Sequence, residues 1–288
     1  MKKPFFTIIV VSYNAGARLL ETIKSIKMQT FVDYKVLVKD GMSTDGSIDK
    51  LKELYKDDGD ITITESCDHG IYHAMNIATN MLKENSSGED RSYIFFLNCG
   101  DTFKDENVLR RFHEAIVERQ KKDGTTIPAI FYGDIFEKTT GFKVSSNPEI
   151  NDYACYRNLP SHQACFYDER LIFKYPFDLK YKVRADYDQF LKCFYLEKAD
   201  TVYVPIIVTV YEGGGYSDQN KKISEDERKK IIKNYLPSKQ IRKYDLLRVV
   251  TLSGLRGVIA SNKLTAGAYN GVKSAIYKAK GNKKEKKD

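Results

Sequence analysis

The first half of the chain alternates between short apolar runs and segments whose apolar residues recur every three or four positions. Residues 5–11 and 34–38 are β-branched runs typical of strands, and Leu19, Ile23 and Ile26 between them follow helical spacing. This is the pattern of a strand–helix–strand unit. Continued along the chain, it predicts strands near 5–12, 34–40, 60–65, 92–98 and 129–135, and helices near 17–28, 46–56, 70–84 and 105–120.

From about Gly133 the rhythm changes to shorter strands and turns. Strands are predicted at 142–145, 163–167 and 201–211, and a helix at 186–196 presents apolar residues on one face. Strands alternating with helices predict an α/β fold, with a mixed, mostly parallel sheet flanked by helices. We expect a catalytic domain over 1–220, with a nucleotide-binding half to about 101, then a helical extension over 221–277 and a basic, disordered tail over 278–288.

Polar residues follow the first two predicted strands where each strand ends. Ser12, Tyr13 and Asn14 come after the first strand, and Asp40 ends the second. Ligands of open α/β sheets bind outside the carboxyl ends of the strands. The unit lacks both common glycine-rich phosphate loops. A carboxylate here can instead accept hydrogen bonds from a base or ribose, so we predict a nucleoside site at this edge.

Several short motifs in this order resemble those of family 2 glycosyltransferases. The resemblance covers about residues 5 to 220. Its motifs are Val11-Ser12-Tyr13-Asn14, Asp40-Gly41-Met42-Ser43-Thr44-Asp45-Gly46-Ser47, Glu65-Ser66-Cys67-Asp68-His69-Gly70, Asn98-Cys99-Gly100-Asp101, Arg184-Ala185-Asp186-Tyr187-Asp188 and Gly213-Gly214-Gly215.

The resemblance implies a GT-A (Rossmann-like) fold and an inverting transfer of a sugar from a nucleotide diphosphate, with a UDP-sugar expected. The acceptor would be a glycan or a lipid-linked molecule, in bacterial polysaccharide or glycoconjugate assembly. Glu65 and Asp68 would contact the nucleoside and donor sugar, and His162 the acceptor or diphosphate. Three successive glycines suit a lid that orders over bound nucleotide, the alternative being a flexible linker.

Asp101 follows the most apolar strand of the chain and is the expected metal ligand. A carboxylate at a buried strand end needs a cation or donors. Mn²⁺ and Mg²⁺ suit one or two carboxylates together with substrate phosphate oxygens. The family's usual Asp-x-Asp is here an Asn-x-Gly-Asp variant, so Asn98, a poorer metal ligand, is expected to hydrogen-bond ribose or sugar.

Asp186, at the start of a predicted helix, is the expected catalytic base. Displacement at an anomeric carbon needs a base for the acceptor hydroxyl's proton, and an aspartate is ionised at neutral pH. Asp188 lies two residues further on, roughly 200° around a regular helix, so both cannot face one site. The alternative for Asp186 is a helix cap.

The basic charge of the chain is concentrated at its C-terminus. The net charge is +8, but residues 238–288 carry net +10, so residues 1–237 carry net −2. This argues against nucleic-acid binding and for docking on an anionic membrane surface, the alternative being a helix packed on the catalytic domain. Five cysteines without paired spacing, and no expected signal peptide, predict a reduced cytoplasmic protein, peripheral at the inner face of the membrane.

Two other functions fit part of the pattern. A sugar-phosphate nucleotidyltransferase also combines a nucleotide-binding α/β domain with a metal, but its early glycine-rich loop and basic residue are missing here. A catalytically degenerate scaffold that binds sugar nucleotides is suggested by Asn98, whereas Asp101 and Asp186 argue against it.

Overall fold

The fold is a twisted sheet between two layers of helices. The computed structural model describes residues 3–84, 91–124, 126–157, 159–213, 219–250, 267 and 271–276. The nine strands are β1 (Phe6–Ser12), β2 (Tyr34–Asp40), β3 (Ile61–Glu65), β4 (Tyr93–Phe96), β5 (Thr102–Phe103), β6 (Ala129–Glu137), β7 (Phe142–Val144), β8 (Cys165–Asp168) and β9 (Asp200–Tyr211). The helices are α1 (Ala17–Lys27), α2 (Ser47–Leu54), α3 (Ile71–Glu84), α4 (Val108–Asp123), α5 (Asp152–Arg157), α6 (Glu169–Lys174), α7 (Ala185–Tyr195), α8 (Lys221–Ile232) and α9 (Ser238–Val250).

The sheet has a parallel half and a mixed half. Its strand order is β3-β2-β1-β4-β8-β6-β9-β5, with β7 pairing to β6. Strands β3, β2, β1 and β4 are parallel, so their carboxyl ends meet at one edge. Strand β8 runs antiparallel between β4 and β6. The predicted mixed, mostly parallel α/β architecture is therefore confirmed.

Each face of the sheet has its own hydrophobic core. Helices α1, α2 and α4 cover one face through residues such as Leu19, Leu51 and Phe112. Helices α3, α5, α6, α7 and α8 cover the other, where Met75 and Phe190 are buried. The strands are apolar on both sides because both faces are covered.

Sequence periodicity predicted the long elements and missed the short ones. The predicted helices and strands of the first half agree with the structure to within a few residues. Helices α5 and α6, of six residues each, were not predicted because they are shorter than two turns and show no period. The strand predicted from Gln163 begins at Cys165, after a 3-10 turn over His162–Ala164.

Helix α9 docks on the catalytic domain. The Tyr156 hydroxyl donates to Asp245, Gln240 donates to Asp152 (2.6 Å), and Arg248 pairs with Glu225 (3.2 Å). The opposite side of α9 includes Leu246, which is 64% exposed. None of the helices described is long and apolar enough to cross a bilayer, and the basic tail lies outside the described residues.

Candidate active site

A cleft of about 610 Å³ brings four of the predicted site residues together. Asn98 and Asp101 follow β4, His162 precedes β8, and Asp186 lies in the first turn of α7. The other predicted site residues do not line this cleft; they lie in β1, at the ends of β2 and β3, and in the loops that follow these strands. These four residues come from three segments far apart in sequence.

Asp101 is held in a buried position that is unfavourable for its charge. Its side chain is almost fully buried and accepts a hydrogen bond from the backbone N–H of Glu212 (3.1 Å). Burial raises the pKa of Asp101 to about 6, the Glu212 charge adds to the rise, and hydrogen bonds from Glu212 N–H and Gln163 partly oppose it. Asp101 does not cap α4, which begins seven residues later.

The surroundings of Asp101 suit a divalent cation that also contacts a diphosphate. Among the described residues, the buried Asn98 Oδ1 has no hydrogen-bond partner. The Glu212 carboxylate packs against Gly100, where a Cβ would lie 2.6 Å from Glu212 Oε2. Glu212 also lies 3.8 Å from Arg18. No cluster of three acidic, histidine or cysteine ligands occurs in the described part of the chain, so a cation here needs oxygens from a ligand.

Asp186 lies beside the hydroxyl of a partly buried tyrosine, Tyr72, which also lies 2.8 Å from the Val183 carbonyl. The Asp186 Oδ1 lies 3.0 Å from the Tyr72 hydroxyl and accepts from the Tyr187 N–H (2.8 Å). Burial, and then the Asp186 charge, raise the pKa of Tyr72 well above its usual value, so Tyr72 stays a donor. Asp188 is buried away from the cleft, where Lys192 (2.8 Å) and Tyr235 (3.2 Å) engage it. The expectation that the two acids face different ways is confirmed.

His162 is a buried neutral imidazole on the cleft wall. It stacks on Phe96 (ring centroids 5.0 Å) and meets Phe177 edge-on (5.6 Å). Within the described residues neither ring nitrogen has a partner, and burial lowers the pKa of His162. A ligand oxygen would satisfy a buried donor that otherwise costs free energy.

The loops after β1 and β2 are tied together by polar side chains. Both Asp40 oxygens accept from Ser43, through its N–H and its hydroxyl (2.6 Å each). Asn14, with a φ of 47°, accepts from the Thr44 N–H (2.9 Å). Asp40 is fully buried, whereas Tyr13 is 67% exposed beside Gly41. Nucleobase contact by Asp40 stays a prediction, and Tyr13 is the ring of this loop that a base can reach.

Ser12 and Glu65 have local surroundings of their own. The Ser12 hydroxyl is buried next to the Cys99 thiol, and burial raises the pKa of that thiol to about 12. The Glu65 carboxylate pairs with the Lys52 ammonium on the surface. Both assignments to the donor site remain predictions.

Asp68 neutralises a buried lysine that sequence reasoning missed. The Lys39 side chain is fully buried, donates to the Ser66 carbonyl (2.7 Å) and pairs with Asp68 Oδ2. Asp68 Oδ1 accepts from the Gly70 N–H (3.0 Å). The available signal was Lys39 directly after the apolar run over 36–38. Asp68 therefore has a structural role, whatever it does for a ligand.

Replacing Asp68 with Asn is expected to cost about 3 kcal/mol of folding stability, because it leaves the Lys39 ammonium buried without a counterion. Urea unfolding measures this cost. The double variant Lys39→Met/Asp68→Asn should recover most of the loss. An unchanged stability of Asp68→Asn would contradict the buried pair.

Comparison with known proteins identifies the class of enzyme that this fold and cleft define. The pattern of Glycosyl transferase family 2 matches residues 7–177, and the chain belongs to this family. It is 30% identical over 221 residues to a PGL/p-HBAD biosynthesis glycosyltransferase of Mycobacterium tuberculosis, covering 76% of this chain and 81% of the relative. A putative teichuronic acid biosynthesis glycosyltransferase, TuaG of Bacillus subtilis, is 29% identical over 41% of this chain and 44% of its own length. The chain is thus a glycosyltransferase.

Solved structures share the fold. S. aureus TarS superposes with a TM-score of 0.61 at 18% identity, covering 83% of this chain and 68% of that chain. The mannosyltransferase PcManGT of Pyrobaculum calidifontis gives 0.54 at 15% identity, covering 96% and 87%. The GT-A architecture expected from the motifs is therefore confirmed.

Proposed function

We propose that this glycosyltransferase moves a sugar from a UDP-sugar to a hydroxyl of a glycan or lipid-linked acceptor, with inversion at the anomeric carbon. The observation that carries the proposal is the cleft, where Asp101 and Asn98 face the same space as Asp186. A neighbour of the same fold was solved in complex with UDP and with UDP-GlcNAc, which supports UDP as the nucleotide. Another was solved with GDP-Man and Mn²⁺, so GDP is the competing choice.

In the proposed reaction, Asp186 takes the proton of the acceptor hydroxyl. The acceptor oxygen forms a bond to the anomeric carbon as the bond from that carbon to the diphosphate oxygen breaks, and the diphosphate leaves with the electron pair. Tyr72 keeps Asp186 pointed at the cleft through its hydroxyl. Attack opposite the leaving group inverts the anomeric configuration.

The residues around Asp101 fit Mn²⁺ or Mg²⁺. Asp101 and Glu212 supply carboxylates and Asn98 an unsatisfied amide oxygen. The ion would neutralise charge that develops on the departing diphosphate. His162 would donate to an oxygen of the diphosphate or the acceptor.

Calorimetric titration with UDP, GDP and CDP, each with and without Mn²⁺, tests the nucleotide. We expect UDP to bind tightest and only weakly without Mn²⁺. Tighter binding of GDP would change the proposed donor to a GDP-sugar and leave the proposed reaction class unchanged. Absence of binding by all three would contradict the donor site.

The affinity for UDP in Mn²⁺ is expected to fall about tenfold from pH 7 to pH 5. Burial raises the pKa of Asp101 to about 6, so at pH 5 only about a tenth of this carboxyl is ionised and able to bind a cation. The stability of the free protein changes with pH in the opposite direction. Because the pKa of Asp101 is higher in the folded than in the unfolded chain, ionisation of Asp101 between about pH 4 and 6 lowers the free energy of unfolding. Titrations at pH 5, 6 and 7 measure the affinity, and a pH-independent affinity would contradict this role of Asp101.

The membrane assignment is a further part of the proposal. Its support is the net charge of +10 over residues 238–288 and the exposed Leu246 on α9. Such docking would bring the cleft to lipid-linked acceptors at the cytoplasmic face of a membrane. Co-sedimentation with vesicles of anionic and of neutral lipid tests it, with binding expected only to the anionic vesicles.

A further inference from the structure

The cleft has a cationic end that the proposed reaction does not use. Arg157, Lys182, Arg184 and Lys273 all line it. Within the described residues, no carboxylate forms an ion pair with Arg157, Lys182 or Arg184.

The Glu227 carboxylate next to Lys182 and Arg184 binds backbone N–H groups. Glu227 accepts the backbone N–H groups of residues 182, 183 and 184 at 2.8, 3.0 and 2.9 Å. The Arg184 guanidinium donates instead to the Ser224 hydroxyl (2.8 Å). Glu227 thus lowers the net charge of this end without forming an ion pair with the Lys182 or Arg184 side chain.

Lys273, in the cationic end, and Asp101 lie on opposite sides of β6. The second half of β6 pairs with β9 on one side and with β7 on the other. Asp101 bonds to Glu212, which follows β9. Ser145, which follows β7, bonds to Ser274 (2.6 Å) in the helical segment 271–276 that carries Lys273. A diphosphate held beside Asp101 thus leaves the cationic end open to another group.

Within this end, the Lys273 ammonium is repelled by the Arg157 guanidinium. Burial, and to a smaller extent the Arg157 charge, lower the pKa of Lys273 to about 8. Asp134 opposes this only in part, because its fully buried carboxylate already binds Lys143 (2.9 Å), Tyr203 (2.9 Å) and the Ser146 N–H (2.8 Å). An anion between Lys273 and Arg157 would relieve the repulsion.

We propose that the cationic end is a subsite for an anionic group, phosphate or carboxylate, carried by the acceptor. The proposal rests on the glycosyl transfer proposed above and adds the chemical class of its acceptor. Arginine suits such groups because its fork of donors matches their paired oxygens. Arg184 and Asp186 are two residues apart on the cleft wall, so an acceptor anchored here by charge presents a nearby hydroxyl to Asp186.

The test is a titration of oligomers into the full chain saturated with UDP and Mn²⁺, so that the diphosphate position is filled. The probes are trigalacturonate, a tri(glycerol phosphate) and neutral maltotriose, in about 0.15 M NaCl to screen exposed charges. Wild type is compared with Arg157→Gln/Lys182→Gln and with Lys50→Gln, which removes an exposed charge on α2 outside the cleft. UDP affinity and the thermal midpoint of each variant show that it is folded.

At least one anionic oligomer should bind about tenfold or more tightly than maltotriose, and the double variant should lose about that factor. The Lys50→Gln variant should match wild type, and UDP affinity should stay within about twofold in all three proteins. Which oligomer binds distinguishes a phosphate from a carboxylate acceptor. Equal binding of charged and neutral probes, no binding of any, or a tenfold loss of UDP affinity in the double variant would overturn the subsite. Failure of wild type to bind UDP would instead contradict the proposed donor, and titrating the free protein would still test the subsite.

Discussion

Replacing Asp186 with Asn is expected to lower kcat for sugar transfer by about 10²–10⁴-fold, while UDP affinity stays within about twofold. Asparagine keeps the shape of the side chain, and its carbonyl oxygen can still accept from Tyr72 and from the Tyr187 N–H. It cannot take a proton from the acceptor hydroxyl. The rate of UDP release from the donor nucleotide-sugar gives kcat, with release in water alone as the background. Calorimetry gives the affinity for UDP.

Asp188→Asn is the matched control, since Asp188 lies on the same helix turn but pairs with Lys192. We expect this variant to lose stability and to keep kcat within a few fold. An Asp186→Asn enzyme with near-normal turnover would contradict the assignment of the base. A large loss in Asp188→Asn alone would move the catalytic role to the second acid.

The second large effect is expected at Asp101. Asp101→Asn should abolish the dependence of UDP binding on Mn²⁺ and weaken UDP binding in Mn²⁺ by at least about tenfold, because the neutral amide is a poor ligand for a hard cation. The thermal midpoint of the metal-free variant should equal or exceed that of wild type, since burial makes the Asp101 charge unfavourable. Calorimetry and thermal unfolding on the same samples measure both effects.

Glu212→Gln is the companion variant, because Glu212 packs against Gly100 beside Asp101. Its loss of Mn²⁺ dependence should be smaller than that of Asp101→Asn, since Asp101 is the more buried acid. Full Mn²⁺ dependence in Asp101→Asn would contradict the metal role. A large drop in its thermal midpoint would indicate that Asp101 serves the fold.

The fold was largely predictable because the elements that define it are long and strongly patterned. The central residues of β1 and β2 form continuous apolar runs, over 8–11 and 36–38, and α1 and α3 carry regular apolar faces. Helices α5 and α6 were missed because one and a half turns show no period. Helix α5 nevertheless contributes to the site, because Arg157 at its end lines the cleft.

The cleft was predictable where a motif placed an acid at the end of an element, as at Asp101 and Asp186. The sequence could not show which acids are already bound to other residues of the fold. Asp40 is bound by Ser43 and Asp68 by Lys39, and neither pairing follows from spacing alone. Glu212 and Tyr72 were missed because tertiary packing, not sequence proximity, brings them to Asp101 and Asp186.

The most direct test of the account is an anomalous diffraction map of crystals of the full chain grown with UDP and Mn²⁺. We expect one manganese peak within coordinating distance of Asp101 and of the diphosphate, in the same cleft as the Asp186 carboxylate. Manganese bound away from Asp101, or a UDP diphosphate seated outside this cleft, would contradict the central claim that the donor diphosphate and the catalytic base meet there.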